Sequence, residues 1–225
     1  MSVNGGRRPW LPLEPLPRLY AIADVEALGA GAGDLDPVLE AVSMLAAVGV
    51  HWIQLRAKRL CGRDVFAMVE GCLDRLAGHP EVALWVDDRV DVAACLPVAG
   101  VHLGQLDLPP AGARRVLGAD PWIGLSTHTI EQGRAGQSDS AVDVVAVGPI
   151  YATRSKGAPD RVVGLAGVEH ARSLGRKPLI AIGGIDAERA PAVLAAGADS
   201  VAVIGALGRG SEIEPNARRL LAAVR

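Results

Sequence analysis

The chain has 225 residues, half of them hydrophobic, and a formal net charge of −2. That length suits one large domain with an ample core, and the near-balanced charge excludes a global pull toward nucleic acid or an anionic membrane. Cys61, Cys72 and Cys95 are odd in number and lack CxxC spacing, which argues against a disulfide framework or a structural zinc site. No apolar run is long enough to span a bilayer. With one Phe, two Tyr and four Trp, the core must be built from Ala, Val, Leu and Ile, as in parallel α/β proteins.

Residues 1–18 read as a lead-in. Arg7-Arg8 suggests an export signal, but Leu11-Pro12-Leu13-Glu14-Pro15-Leu16-Pro17 is broken by prolines and an acid, so a cytoplasmic protein is expected. Leu19–Ala23 reads as the first strand, and Leu35–Ala47 as a helix with Val38, Leu39, Val42, Leu45 and Ala46 on one face. The second strand spans Trp52–Arg56, followed by a helix over Arg63–Leu76. Strand three covers Val82–Val86 and a short helix Val90–Leu96. Strand four is Gly100–Leu103, and Pro109-Pro110 opens a helix toward Val116. Strand five is Trp122–Ser126 with a weak helix Ile130–Ala135, and strand six is Val142–Val147 with a helix near Val168–Leu174. Pro178–Ile182 with Ala187–Ala196, and Ser200–Ile204 with Ile213–Val224, complete the chain.

Eight strand-then-helix units with no break in composition predict a single-domain (β/α)8 TIM barrel over residues 19–225. An open doubly wound sheet is the weaker choice, because no GxGxxG follows the first strand. A barrel places its active site at the carboxyl ends of the strands. Unusual polar residues gather there, whereas the opposite ends look plain. Gln54, Arg56 and Lys58 alternate and so share a face. Alone they read as a solvated strand end; beside an anion, an Arg fork and a Lys point charge suit phosphate or pyrophosphate. Asp87-Asp88-Arg89 ends strand three, where either acid could cap the next helix.

Asp88 and Asp107 come from neighbouring strands, and Mg²⁺ typically takes one or two carboxylates plus phosphate oxygens. His102 reads as a core or supporting histidine, and Thr129 as a helix cap. Gly183-Gly184 and Gly205 stand where barrels hold a phosphate on backbone amides. Two anion sites are therefore expected, one cationic and metal-assisted, the other neutral and amide-lined.

At these residues the chain resembles the thiamin phosphate synthase family, over Leu19 to about Leu207. The resemblance is carried by Gln54-Leu-Arg-Ala-Lys58, Asp87-Asp-Arg-Val-Asp91, Val101-His-Leu-Gly-Gln-Leu-Asp107, Gly124-Leu-Ser-Thr-His-Thr129, Gly148-Pro-Ile-Tyr-Ala-Thr153, Ile182-Gly-Gly-Ile185 and Gly197-Ala-Asp-Ser-Val-Ala-Val203. It implies a transferase joining hydroxymethylpyrimidine diphosphate to thiazole ethyl phosphate, with small-molecule partners and no nucleic acid or membrane. A homo-oligomer is compatible with the apolar outer helices.

By the same resemblance Gln54, Arg56 and Lys58 would hold the pyrimidine and its diphosphate, with Asp87 beside them. Asp88 and Asp107 would ligate Mg²⁺, and Lys156 would reach the pyrophosphate. Ser126 would bond the pyrimidine amine. Thr153 and Ser155 would contact the thiazole phosphate, with amides at Gly184, Ile204 and Gly205. The chain departs from the family at Asp87, where Asn is usual, at Gly205, where Ser is usual, and at Ser155, where Thr is usual. These departures keep two alternatives open. One is a thiazole tautomerase-like isomerase with His128 as proton shuttle; the other is an inactive thiazole or thiamine phosphate binding regulator.

Overall fold

The computed structural model describes residues 16–153 and 161–225. Eight parallel strands close into a barrel in sequence order: β1 Leu19–Asp24, β2 Trp52–Arg56, β3 Ala83–Asp87, β4 Gly100–Leu103, β5 Trp122–Thr127, β6 Val144–Val147, β7 Leu179–Ile182 and β8 Ser200–Val203. β1 pairs with both β2 and β8, so the sheet has no open edge and the doubly wound alternative is excluded. The outer layer comprises α1 Val25–Leu28, α2 Asp36–Ala47, α3 Gly62–Arg75, α4 Val90–Cys95, α5 Pro110–Leu117, α6 Ile130–Ser138, α7 Gly164–Ser173, α8 Ala190–Ala195 and α9 Ile213–Ala223. Two 3₁₀ turns, Gly205–Leu207 and Gly210–Glu212, lie between β8 and α9. No described helix is long and apolar enough to cross a membrane.

Strand residues facing outward pack on the helices and form the larger core, which includes Ala21, Ile53, Leu84, Val101, Ile123, Val145, Ala181 and Val201. The inward-facing set is smaller and aromatic at its base, with Tyr20, Trp52 and Trp85 joined by Trp122. Their rings meet at 5.4–6.1 Å in edge or tilted contacts, the geometry that aromatic quadrupoles favour. Room for these rings comes from glycine. A Cβ on Gly100 would lie 2.8 Å from the Trp85 ring, and one on Gly124 would lie 2.4 Å from His102 Nδ1. The three barrel Trp residues thus fill a centre that Ala and Val alone would leave hollow. Leu16, at the end of the lead-in, packs against this base.

Three expectations need correction. The amino ends of the strands are not plain. Asp143 Oδ2 accepts from the Ile123 amide at 2.7 Å while pairing with Arg114. Asp199 Oδ2 likewise accepts from the Leu179 amide and from Arg172, both at 2.8 Å. These carboxylates tie adjacent strands together at the base, so strand six starts at Val144 rather than Val142. Second, Arg89 is the N-cap residue of α4 and makes no side-chain cap bond, so neither Asp87 nor Asp88 serves as that cap. Third, α1 was unforeseen: Asp24 accepts from the Ala27 amide, and Gly29 closes the turn at φ 78°. Thr129 does cap α6, through a capping box with Gln132.

Candidate active site

The carboxyl mouth of the barrel opens into a pocket lined by the inward residues of all eight strands or the loops just past them. Gln54, Arg56, Lys58, Asp87, Ser126 and Ile204 line it, as the alternation of strand side chains predicts, and Asp88, one residue past β3, lines it too. Ile22, Ala146, Ile180, Ile182 and Ala202 give it an apolar floor. Gln54 is only 2% exposed, and its Nε2 donates to the Tyr20 hydroxyl at 2.9 Å. Burial pushes the Tyr20 phenol well above its ordinary value, and the Asp87 charge adds to this, so it stays neutral. Across the pocket His102 Nε2 and Ser126 Oγ stand 3.0 Å apart, and Gln105 Nε2 holds the Ser126 carbonyl at 2.7 Å. His128 Nδ1 faces the Gly148 carbonyl at 2.7 Å.

Charge is concentrated on the β1–β4 side. Arg56 Nη1 pairs with the buried Asp24 carboxylate, and its Nε lies 3.6 Å from Asp87. Lys58 Nζ sits 2.8 Å from Asp87 and also pairs with Asp88. Burial pulls the Lys58 pKa down, but the charges and hydrogen bonds of Asp87 and Asp88 outweigh it and the net shift is upward. Lys58 is therefore a fixed cation at neutral pH.

Asp88 occupies an unusual position. Its φ is 59°, in the left-handed region that Asp tolerates better than most side chains but still at a cost. The strained backbone donates its amide to the His102 carbonyl at 2.9 Å, which aims the side chain at Lys58 and Asp107. Burial, the charge of Asp87 and contact with the Asp107 carboxylate push the Asp88 carboxyl up to about 6, against a smaller opposing effect of Lys58. Its Oδ1 is buried with no hydrogen-bond donor among the described residues. Asp107 Oδ2 takes the Gly104 amide at 2.7 Å.

Two carboxylates in contact, one with an orphaned oxygen, fit a hard divalent cation that completes its shell with water and phosphate. No cluster of three or more His, Cys, Asp or Glu suited to a metal occurs among the described residues; Asp88 and Asp107 are the pair that would hold such an ion.

The β6–β8 side is built from backbone. Gly183 and Gly184 both have positive φ, 106° and 63°. A Cβ on Gly184 would stand 2.6 Å from the Ala152 carbonyl, and one on Gly183 2.6 Å from Pro149 Cβ. Only glycine lets these two loops come so close. Ile204 precedes the 3₁₀ turn Gly205–Leu207, and Thr153 is half-buried on the strand-six loop. Ser155 and Lys156 lie outside the described residues.

The sequence from Leu19 to Leu207 matches the family model described as thiamine monophosphate synthase. The chain belongs to the thiamine monophosphate synthase family. It is 44% identical to the thiamine-phosphate synthase of Koribacter versatilis over 85% of its own length and 89% of that protein's. With the thiamine-phosphate synthase of Azorhizobium caulinodans it shares 42% identity, covering 90% and 92% of the two chains. Among solved structures, the thiamine phosphate pyrophosphorylase of Pyrococcus furiosus superposes with a TM-score of 0.80 at 27% identity, covering 92% of this chain and 95% of that one. As a member of the thiamine monophosphate synthase family, the protein is a transferase of thiamine biosynthesis.

Sequence reading missed Asp24 and Tyr20. Both sit in β1, whose inward positions Tyr20, Ile22 and Asp24 follow the same period of two as Gln54 and Arg56. An Asp ending a buried strand was the available signal. His102 was read as a supporting residue, and its contact with Ser126 agrees.

Proposed function

We propose that the protein condenses hydroxymethylpyrimidine diphosphate with thiazole ethyl phosphate, giving thiamine phosphate and pyrophosphate. The observation that carries this reading is a pocket whose β2–β3 wall gathers Arg56, Lys58, Asp87 and Asp88, on the same carboxyl face of the barrel as the closely packed glycine turn Gly183-Gly184. Arg56 and Lys58 bind the diphosphate and stabilise it as it departs, by charge fixed in place before the reaction. Asp88 and Asp107 would hold Mg²⁺, which when bound supplies further neutralisation of the pyrophosphate oxygens.

Gln54, steadied by Tyr20, and Ser126, steadied by His102, orient the pyrimidine and its amine. The carbon–oxygen bond breaks first, and its electron pair leaves with the pyrophosphate. The aminopyrimidine stabilises the remaining cation, and the thiazole nitrogen supplies the pair for the new carbon–nitrogen bond. The apolar floor of Ile22, Ala146, Ile180, Ile182 and Ala202 keeps water from that cation. No proton moves in the bond exchange, so no general base is needed. Thr153 and the amides near Gly184, Ile204 and Gly205 hold the thiazole phosphate.

An isomerase using His128 would have no use for the four carboxylates and two cations at the other end. A coupling assay with both substrates and Mg²⁺ separates the readings. Product should form with wild-type protein and be lost in Asp107→Ala, while thiazole phosphate still binds. Unchanged turnover in that variant would sink the metal assignment. Isomerisation without coupling would favour the tautomerase, and ligand binding with neither activity would indicate a regulator.

A further inference from the structure

Arg189 lies outside every role assigned so far, yet its side chain joins the two loops of the glycine-built end. It is the residue before α8, and its Nη1 donates to the Gly184 carbonyl at 2.7 Å. The guanidinium carbon lies over the Tyr151 ring, 4.7 Å from its centroid, within the range of a cation–π contact. Asp186 orients it from the other side. Its Oδ1 accepts from the Glu188 and Arg189 amides at 3.1 and 3.0 Å, and its Oδ2 stands 3.8 Å from Nη1.

The need for such a tie follows from the glycines. Gly183-Gly184 has no side chain to pin its peptides, and glycine crosses between φ/ψ regions at little cost. Backbone bonds hold the strand-six loop to this turn at Ile150 N to Ile182 O and Tyr151 N to Gly183 O, both 2.9 Å. Beyond them, Arg189 is the side chain that grips the Gly184 carbonyl, and so fixes the plane of the Gly184–Ile185 peptide. Through Tyr151 it also fixes the segment that leads to Thr153.

On the condensation reading above, we propose that Arg189 is a positioning residue for the monophosphate end. It clamps the Gly184 carbonyl and the Tyr151 ring so that the amides and Thr153 meet the thiazole phosphate in one arrangement. It acts through these groups and takes no part in breaking the diphosphate bond.

Steady-state coupling kinetics and calorimetry on R189Q, R189K and Y151L test this. Arg189 is half-exposed, and a thermal melt confirms that each variant is folded. R189Q should raise the KM and Kd for thiazole ethyl phosphate about tenfold, the scale of losing one charged hydrogen bond and a cation–π contact. The KM for the pyrimidine diphosphate, kcat, and the Kd of the dephosphorylated thiazole alcohol should stay within twofold. R189K, which keeps the charge but not the planar fork, should fall between, and Y151L should give a smaller loss. Thiazole phosphate affinity unchanged in R189Q, or equal weakening of the alcohol, would overturn the proposal. If wild-type protein neither couples the substrates nor binds thiazole phosphate, the condensation reading fails and the clamp with it. Normal wild-type coupling with an unaffected R189Q refutes the clamp alone.

Discussion

The two ends of the barrel mouth are built by opposite means. On the β1–β4 side four carboxylates, Asp24, Asp87, Asp88 and Asp107, surround two cations, Arg56 and Lys58. On the β6–β8 side the chain offers close-packed glycine turns and main-chain groups. The difference follows from what each anion does in the proposed reaction. A leaving pyrophosphate gains charge as its bond breaks, so fixed charges at that end act on the rate. A thiazole monophosphate keeps its charge throughout, so its cradle only needs to bind.

That contrast predicts that variants at the two ends separate kinetically. The largest effect is expected for Arg56→Ala. It should lower kcat/KM for the pyrimidine diphosphate about 10²–10³-fold, as for removal of one preorganised electrostatic group, while the Kd of thiazole phosphate stays within twofold. If both substrates weaken together in binding and calorimetric assays, the two ends are not independent. Gly184→Ala should act in reverse. The added Cβ meets the Ala152 carbonyl at 2.6 Å from a backbone at φ 63°, so the turn must shift. Thiazole phosphate KM should rise about tenfold and stability fall by about 1–3 kcal/mol, with kcat for bound substrates retained. A fall in kcat at unchanged KM would break the comparison.

The smallest effect concerns stability at the charged end. The Asp88 carboxyl, pushed up to about 6 from an ordinary 3.8, prefers to be protonated in the folded state. Its charged form therefore destabilises the fold, and stability is lost as pH rises from about 4 to about 6 and stays lower above that. In metal-free buffer Asp88→Asn should raise Tm by a few degrees at pH 7.5, since Asn also tolerates positive φ. The gain should vanish below about pH 4. An equal gain at both pH values would point to backbone strain rather than charge as the cause.

How much of this was legible in the sequence depended on what sets each feature. Strands buried on both faces read as short, mainly apolar runs, so all eight were visible. Strand ends were less legible because pairing, not apolar content, decides them. Val142 is apolar but precedes Asp143, whose carboxylate replaces a backbone partner for Ile123. Ile204 reads as strand yet turns into the 3₁₀ segment that follows.

At the site, fixed charges announced themselves: Arg56, Lys58, Asp88 and Asp107 meet as their positions implied. Asp24 and Tyr20 were hidden because their work is done through Arg56 and Gln54. Arg189 was hidden for another reason. It lies on a helix start and reaches the glycine turn only through the fold of the loops around it.

On the proposed reaction, the β1–β4 end holds pyrophosphate together with a divalent cation on Asp88 and Asp107. Calorimetric titration of inorganic pyrophosphate, with Mg²⁺ and in chelator, into wild-type and Asp107→Ala protein tests it most directly. The expected result is binding to wild type that needs Mg²⁺ and is lost in the variant, with thiazole phosphate affinity unchanged. Pyrophosphate binding equally well in chelator, or equally well to Asp107→Ala, would mean that no divalent cation held by Asp107 takes part.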